Sequence, residues 1–551
     1  MPVPITYPGV YIDEVKSSVR TITGVPTSIA AFVGWAPRGP DDRPVHITSW
    51  ADYEQQFGGL HQDSAMSYAV EQFYRNGGAE AEIVRVVRQD SKKPVLLTLG
   101  GKDNGPKVAA IGPGAWVENL RARVEPVLGE DGKTPRTDVY NFRIRDFGTG
   151  AEEVYLNVST EADNPRSLRS VLAGSLLVTW HSDGKAPTAN QTVPGLDDQM
   201  GNAEKSDEPD TGPNDQPEND TPAAGKNPRF TTVAKADVPD DKPIKATDYK
   251  GSELGKTGLH QLLKTDIFNI LCLPDVTVND KLKTEERTEL LSAAAELCLR
   301  RRAILLVDPP AEWTAAKTAS DVVDLARKLP LRDGSARNAA IYFPRILASD
   351  ACLDGLVRDF PPCGVMAGVM ARTDAQRGVW KAPAGTDASL NGVQGLEMPL
   401  TDLENGRLNP LGVNCLRELP AVGPVAWGAR TMRGNDQLTD EWKYLPVRRL
   451  ALFVEESLYR GTQWVVFEPN DEPLWASIRL NIGAFMNSLF REGAFQGRTP
   501  AEAYLVKCDR ENNPQNDIDR GIVNIQVGFA PLKPAEFVII HIQQLAGQVQ
   551  V

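Results

Sequence analysis

Ile267-Phe268-Asn269-Ile270-Leu271-Cys272-Leu273-Pro274 is a short apolar run closed by proline, too brief for a helix of its own and apolar on both faces. Ala303-Ile304-Leu305-Leu306-Val307-Asp308 and Ala339-Ala340-Ile341-Tyr342-Phe343-Pro344 repeat the pattern, and Glu285 to Arg301 and Asp321 to Lys328 read as helices between them. Strands without a polar face, alternating with helices, predict a mainly parallel sheet covered on both sides. Upstream, Ile29-Ala30-Ala31-Phe32-Val33-Gly34 is a further buried strand. A helix carrying Tyr68 and Phe73 stops at Asn76-Gly77-Gly78, and Glu82-Ile83-Val84-Arg85-Val86-Val87 reads as the next strand. The simplest account is one α/β domain built from residues 29–90 and 256–405, interrupted by residues 91–255.

The interruption has a different rhythm. Val154-Tyr155-Leu156-Asn157-Val158 alternates as a strand with one wet face, so residues 91–255 are expected to be a β-rich insertion. Residues 410–530 form an α+β unit, in which Trp475, Ile478, Ile482, Phe485 and Leu489 step by three and four and mark a helix with one core-facing stripe. Residues 531–551 hold a final strand, Glu536-Phe537-Val538-Ile539-Ile540-His541-Ile542, and a polar tail. Residues 1–28 read as an extended arm, since Pro2, Pro4 and Pro8 block helix and the apolar residues are too few for a core.

The whole chain has 551 residues, too many for one core. Its 60 basic and 73 acidic residues give a net charge of −13, which argues against general nucleic-acid binding. The excess is local. Between Asp197 and Asp220 there are nine acids and one lysine, so −8 of the −13 sits in one tract, interspersed with Pro209, Pro213 and Pro217. This tract is expected to be a solvated surface loop or disordered insert, with a cation site or partner patch as the alternative. There is no run of about 18 apolar residues to span a membrane, and the amino terminus lacks the basic and apolar regions of a secretory signal. Six scattered cysteines (272, 298, 352, 363, 415 and 508) without a CxxC pair fit a reducing, cytoplasmic setting and indicate neither a disulfide framework nor a metal site.

Catalytic signatures are weak. Gly251-Ser252-Glu253-Leu254-Gly255-Lys256-Thr257 ends like a phosphate loop, but three residues rather than four separate its glycines. A GxSxG elbow is missing, and His46, His61, His181, His260 and His541 form no cluster. Glu152-Glu153 and Glu455-Glu456 are sequence neighbours that point apart. Neither a catalytic residue nor a cofactor is assigned. The sequence points instead to assembly. Both termini are extended and apolar, and an unpaired strand must be paired somewhere. Pairing within the chain and strand addition to a neighbouring subunit are both open on pattern alone.

The residues nevertheless resemble a known family. Pro8-Gly9-Val10-Tyr11-Ile12-Asp13-Glu14-Val15, Phe57-Gly58-Gly59, Phe73-Tyr74-Arg75-Asn76-Gly77-Gly78 and Gly112-Pro113-Gly114-Ala115-Trp116 begin the likeness. Gly378-Val379-Trp380-Lys381-Ala382-Pro383-Ala384, Leu408-Asn409-Pro410, Trp427-Gly428-Ala429-Arg430-Thr431, Arg448-Arg449-Leu450, Phe467-Glu468-Pro469-Asn470 and the Pro534-Ala535-Glu536-Phe537 stretch continue it. In this order they resemble the contractile tail sheath proteins of phages, R-type tailocins and contractile injection systems. The acidic tract at 197–220 is the main departure.

The resemblance implies a multi-domain fold: a subtilisin-like α/β core that is not proteolytic, a β-rich outer insertion, an α+β carboxy-terminal domain facing an inner tube, and extended terminal arms. It implies that Val10, Tyr11, Ile12 and Val15 from one arm and Phe537, Val538, Ile540 and Ile542 from the other contact neighbouring subunits. Arg479 and Arg491, off the apolar helix stripe, become candidates for tube contact. The implied partners are copies of the chain itself, the tube, and baseplate and terminator proteins, with no nucleic acid and no membrane insertion. Assembly would take place in the bacterial cytoplasm. Another shell or adhesin subunit, and a subtilisin-like hydrolase, are the competing classes.

Overall fold

Strands form where the apolar runs are, trimmed to the residues that find partners on both sides. The computed structural model describes residues 20–88, 94–99, 107–129, 134–159, 161, 163–181, 231–232, 242, 244–279, 282–314, 319–327, 331, 334–437 and 439–540. Eight strands build the main sheet: β1 (Ala30–Gly34), β2 (Val45–Ile47), β3 (Ala81–Arg85), β4 (Ile270–Cys272), β5 (Ile304–Val307), β6 (Ala339–Phe343), β7 (Val413–Leu419) and β8 (Gly423–Ala426). Their order is β8-β7-β6-β5-β4-β1-β3-β2. Ala30 of β1 stands opposite Ala81 on one side and Ile270 on the other, and β3, β1, β4, β5, β6 and β7 run parallel. Only the edge strands β2 and β8 are antiparallel.

The pleat sends alternate residues into two different cores. Ala31, Val33, Leu271, Leu305 and Ile341 join one apolar cluster with Leu290 and Leu297. Ala30, Phe32, Ile270, Leu306 and Tyr342 join the other with Met66, Phe73, Met366 and Met370. The helices involved are α1 (Ala65–Arg75), α2 (Thr284–Arg301) and α3 (Cys363–Arg377). Helix α3 lies almost backbone to backbone on α1: a Cβ at Gly364 would stand 2.2 Å from the Ala69 carbonyl oxygen. Gly364 is therefore required by close approach rather than by its dihedral angles.

Two boundaries differ from the sequence reading. Strands β7 and β8 lie beyond residue 405, where that reading ended the domain. Val413 pairs with Ile341 and so covers what would be the open edge of β6. Upstream, Ile244 and Tyr249 pack into the α2-side cluster, although they precede residue 256.

The intervening segment has its own sheets and its own core. Leu120–Leu128, Pro135–Asp146 and Glu152–Ser159 form an antiparallel meander, with Thr231–Thr232 on its edge. Phe142, Ile144, Val117 and Leu168 lie in its apolar cluster. The acidic tract at 197–220 lies outside the described residues. Two arginines fasten this unit to the main sheet. Arg85 at the end of β3 is fully buried and donates to the carbonyls of Ala36, Pro37, Gly39 and Pro113. Arg38 pairs with Asp146 at 3.1 Å. Gly112, beside Pro113, has no room for a side chain, because a Cβ would meet the Gly39 oxygen at 2.4 Å.

The carboxy-terminal unit comprises helices α4 (Leu445–Gly461) and α5 (Glu472–Arg491) and the hairpin strands β9 (Tyr504–Lys507) and β10 (Gln526–Phe529). The expected stripe Trp475, Ile478, Ile482, Phe485 and Leu489 is buried in its core. Among the described residues no helix is long and apolar enough to cross a membrane.

One buried carboxyl has a measurable consequence. Asp308, just after β5, accepts a hydrogen bond from the Cys363 amide at 2.8 Å and so caps α3 from outside the helix. Burial pushes its pKa up to about 6. The folded protein therefore holds a proton that the unfolded chain, titrating near pH 4, has already released. This contribution is full below pH 4 and is lost as the pH rises through 6. Asp308→Asn keeps the acceptor and removes the titration. We expect it to match wild type only below pH 4, to be more stable by about 1.5 kcal/mol at pH 5, and by about 3 kcal/mol at pH 7.5. Comparing the two proteins cancels His260, whose burial-lowered pKa acts in the opposite direction in both.

Candidate functional site

The cysteine and histidines weighed as catalytic candidates are dispersed over the fold. The Cys363 thiol is buried and pushed well above its ordinary pKa, first by desolvation. His46 pairs with Glu82 at 3.0 Å on the sheet edge, His61 packs edge-on against Trp35, and His260 lies in a different cluster of helical turns. His541 lies outside the described residues.

The organised polar geometry lies instead where the two terminal segments meet the body. Residues 20–28 run along the carboxy-terminal unit without regular structure. The Arg20 amide donates to Asn481 Oδ1 on α5 at 3.0 Å, and the Val25 amide to Ser457 Oγ on α4 at 3.2 Å. Ile22 is buried with Leu450, Val454 and Trp475. At the inner end of this segment Arg449 of α4 donates to both oxygens of Asp374 on α3, at 2.8 and 2.6 Å. Thr27 completes the arrangement, its hydroxyl donating to Asp374 at 2.7 Å and its carbonyl accepting from Arg449 at 3.0 Å. The two charged side chains are 3% and 4% exposed. Such a pair is costly to break, because the remaining charge cannot reach water.

The carboxy-terminal segment has a matching anchor. Arg430 follows β8 and its side chain is 0% exposed. It grips Glu536 through two hydrogen bonds of 2.7 and 2.5 Å, pairs with Asp436 at 2.9 Å, and donates to the carbonyls of Asn409 and Gly434. Burial disfavours the cation. The bonds and charge of Glu536, with the charge of Asp436, outweigh it and hold the guanidinium above its ordinary pKa. The chain changes character at once beyond Glu536. Phe537, Val538, Ile539 and Ile540 are 75–81% exposed, an apolar run without strand pairing. The strand expected over Glu536–Ile542 is thus unformed in the single chain as far as Ile540. An extended segment becomes a strand only when a partner supplies hydrogen bonds. Val10, Tyr11, Ile12, Val15 and Ile542 lie outside the described residues.

The two candidate tube contacts are not brought together. They lie about 18 Å apart along α5. Arg479 is engaged by its own chain, pairing with Glu472 at 2.6 Å and donating to the Cys508 carbonyl. Arg491 is exposed in the last turn. Sequence reasoning missed both anchors. The segments containing Arg430, Arg449 and Glu536 stand out as motifs, but nothing local shows which carboxylate each arginine takes.

Comparison with known proteins now bears on this arrangement. The phage tail sheath protein central domain matches residues 257–432, and the phage tail sheath C-terminal domain matches residues 437–544. The chain belongs to the contractile tail sheath family. The tail sheath protein of Vibrio phage KVP40 is 26% identical over 182 residues, covering 33% of this chain and 26% of the relative. A putative prophage major tail sheath protein of Pseudomonas aeruginosa is 25% identical over 253 residues, covering 42% of this sheath chain and 62% of the relative. The sheath chain therefore matches less than two thirds of the length of either. Its fold is similar to that of the anti-feeding prophage helical sheath in the contracted state, with a TM-score of 0.53 at 21% identity over 98% of this chain and 99% of that one. The Arg430–Glu536 pair joins the two matched domains, one residue from each.

Proposed function

We propose that this chain is the structural subunit of a contractile sheath that polymerises around an inner tube and shortens to drive the tube through a target envelope. The observation that carries the reading is the pair of anchored roots with an apolar run projecting beyond one of them. A segment fixed at its base by a buried arginine and exposed immediately after is built to reach another molecule. The two-stranded β9–β10 hairpin is the natural acceptor. A lone hairpin is marginal, and a third strand extends it. Four or five backbone hydrogen bonds at about 1 kcal/mol each, plus burial of the apolar side chains, give each arm a stable but reversible hold.

On this reading residues 29–90 and the stretch from 256 onward form a subtilisin-like core, supported by the mostly parallel sheet between helical layers. Residues 91–255 form the outer insertion. The partners are copies of the chain, the tube, and the baseplate and terminator proteins that bound the polymer, assembled in the bacterial cytoplasm into a virion tail or an injection particle. Contraction needs no nucleotide. Its free energy is the difference between two subunit interfaces, and the arms keep the lattice joined while the bodies rotate.

Purified protein is expected to form hollow striated cylinders in negative stain. Deleting residues 1–20 removes one arm, and only disordered or monomeric material is then expected. Deleting 197–220 is expected to leave the cylinders unchanged. Normal cylinders from the first deletion would disprove arm exchange.

A further inference from the structure

A turn between α4 and α5 holds its most exposed side chain in a conformation that side chain disfavours. Val466 has φ −65° and ψ 130°, Phe467 has φ +69°, and the Glu468 amide donates to the Val465 carbonyl at 3.2 Å. These are the features of a type II turn, whose third position belongs to glycine or asparagine. A β-carbon there is strained, and a bulky aromatic more so. Packing offers no compensation, because Phe467 is 102% exposed, and Val466 beside it is also exposed. The position thus loses on both counts within the single chain. Glycine would relax the backbone and cover no less of the core. A ring kept under such strain and presented entirely to solvent does its work against another molecule.

We propose that Phe467 is a knob that inserts into an apolar socket on a second copy of this chain. Place argues for a second copy. The turn directly follows the helical turn Gln463–Val465, and Arg20, at the base of the amino-terminal segment, lies over the Trp464 ring at 4.7 Å. The knob therefore sits beside the root of an arm that joins subunits on the sheath reading, and it extends that interface. Glu468, next to the ring in sequence, and Asp471, at the start of α5, are exposed acids, so the socket is taken to be apolar with a basic rim. A ring held rigid by its turn loses little freedom on docking, which favours it as an anchor.

This inference rests on the sheath reading, and its test separates the two. Full-length protein without tube is followed by sedimentation and negative stain, and its melting is measured below the assembly concentration. Phe467→Gly is expected to melt above wild type and to raise the critical concentration for polymerisation about tenfold or more. Phe467→Ala keeps the strain and loses the ring, so it should assemble as poorly without the gain in melting. Phe467→Tyr should assemble as wild type does. The knob is disproved if Phe467→Gly polymerises at the wild-type concentration, or if its melting falls, which would make the ring part of the fold. If wild type itself forms no polymer, the sheath reading falls, and the knob with it.

Discussion

Arg449→Leu is expected to be among the most damaging single substitutions in the chain. It strands the Asp374 carboxylate in a site where both partners are almost fully covered. Removing one member of such a pair costs about 3–5 kcal/mol, because the remaining charge has no water to turn to. Replacing both members with apolar side chains is far milder, since no unpaired charge is left. The double variant Asp374→Leu/Arg449→Leu should therefore recover most of the lost melting temperature. It should not recover the root of the arm. The Thr27 carbonyl loses Arg449 in both variants, and in the double variant its hydroxyl loses Asp374 as well. Amide exchange over residues 22–27 should rise in the single and the double variant alike, and polymerisation should fail in both. Recovery of polymerisation in the double variant would show that the pair serves stability and nothing else.

Truncation after Glu536 should have the opposite profile. Phe537–Ile540 belong to none of the four apolar clusters. The truncated chain keeps the Arg430–Glu536 anchor and should melt within a degree or so of wild type, as expected when the described residues removed make no core contact. Its assembly should nevertheless be abolished, because the run that supplies strand pairing and side-chain burial is gone. A Glu536→Ala variant probes the anchor itself. It leaves Arg430 with Asp436 and two carbonyls but frees the base of the arm. Polymers that form but come apart on contraction are expected, scored in micrographs as fragments against intact shortened cylinders. Cylinders of normal length and number from the truncated chain would overturn the role assigned to residues 537–551.

Much of this molecule is legible before any coordinates. Runs such as Ala303–Val307 and Ala339–Phe343 are apolar at every position, and only a strand buried on both faces tolerates that. The three-and-four spacing from Trp475 to Leu489 is a helix with one buried stripe, and the structure buries those same residues. Errors came where a local pattern had no way to register a distant edge. Val413–Leu419 reads as the opening of a new unit, yet it closes the sheet, because β6 presents unpaired backbone groups that only that segment reaches. Glu536–Ile542 reads as a strand, yet a strand is a relation between two chains of hydrogen-bonding groups, and as far as Ile540 the described residues of a single subunit do not supply the second.

By itself the sequence determined the alternation of strands and helices, the apolar character of the terminal segments and, through the order of its motifs, the family. These are properties of neighbours along the chain, where side-chain period and backbone preference act directly. The tertiary structure alone decided that Arg449 takes Asp374 across 75 residues and that Arg430 takes Glu536 across 106. A cation finds its carboxylate through the path of the folded chain and the water excluded around it. Neither leaves a periodic trace in the order of amino acids.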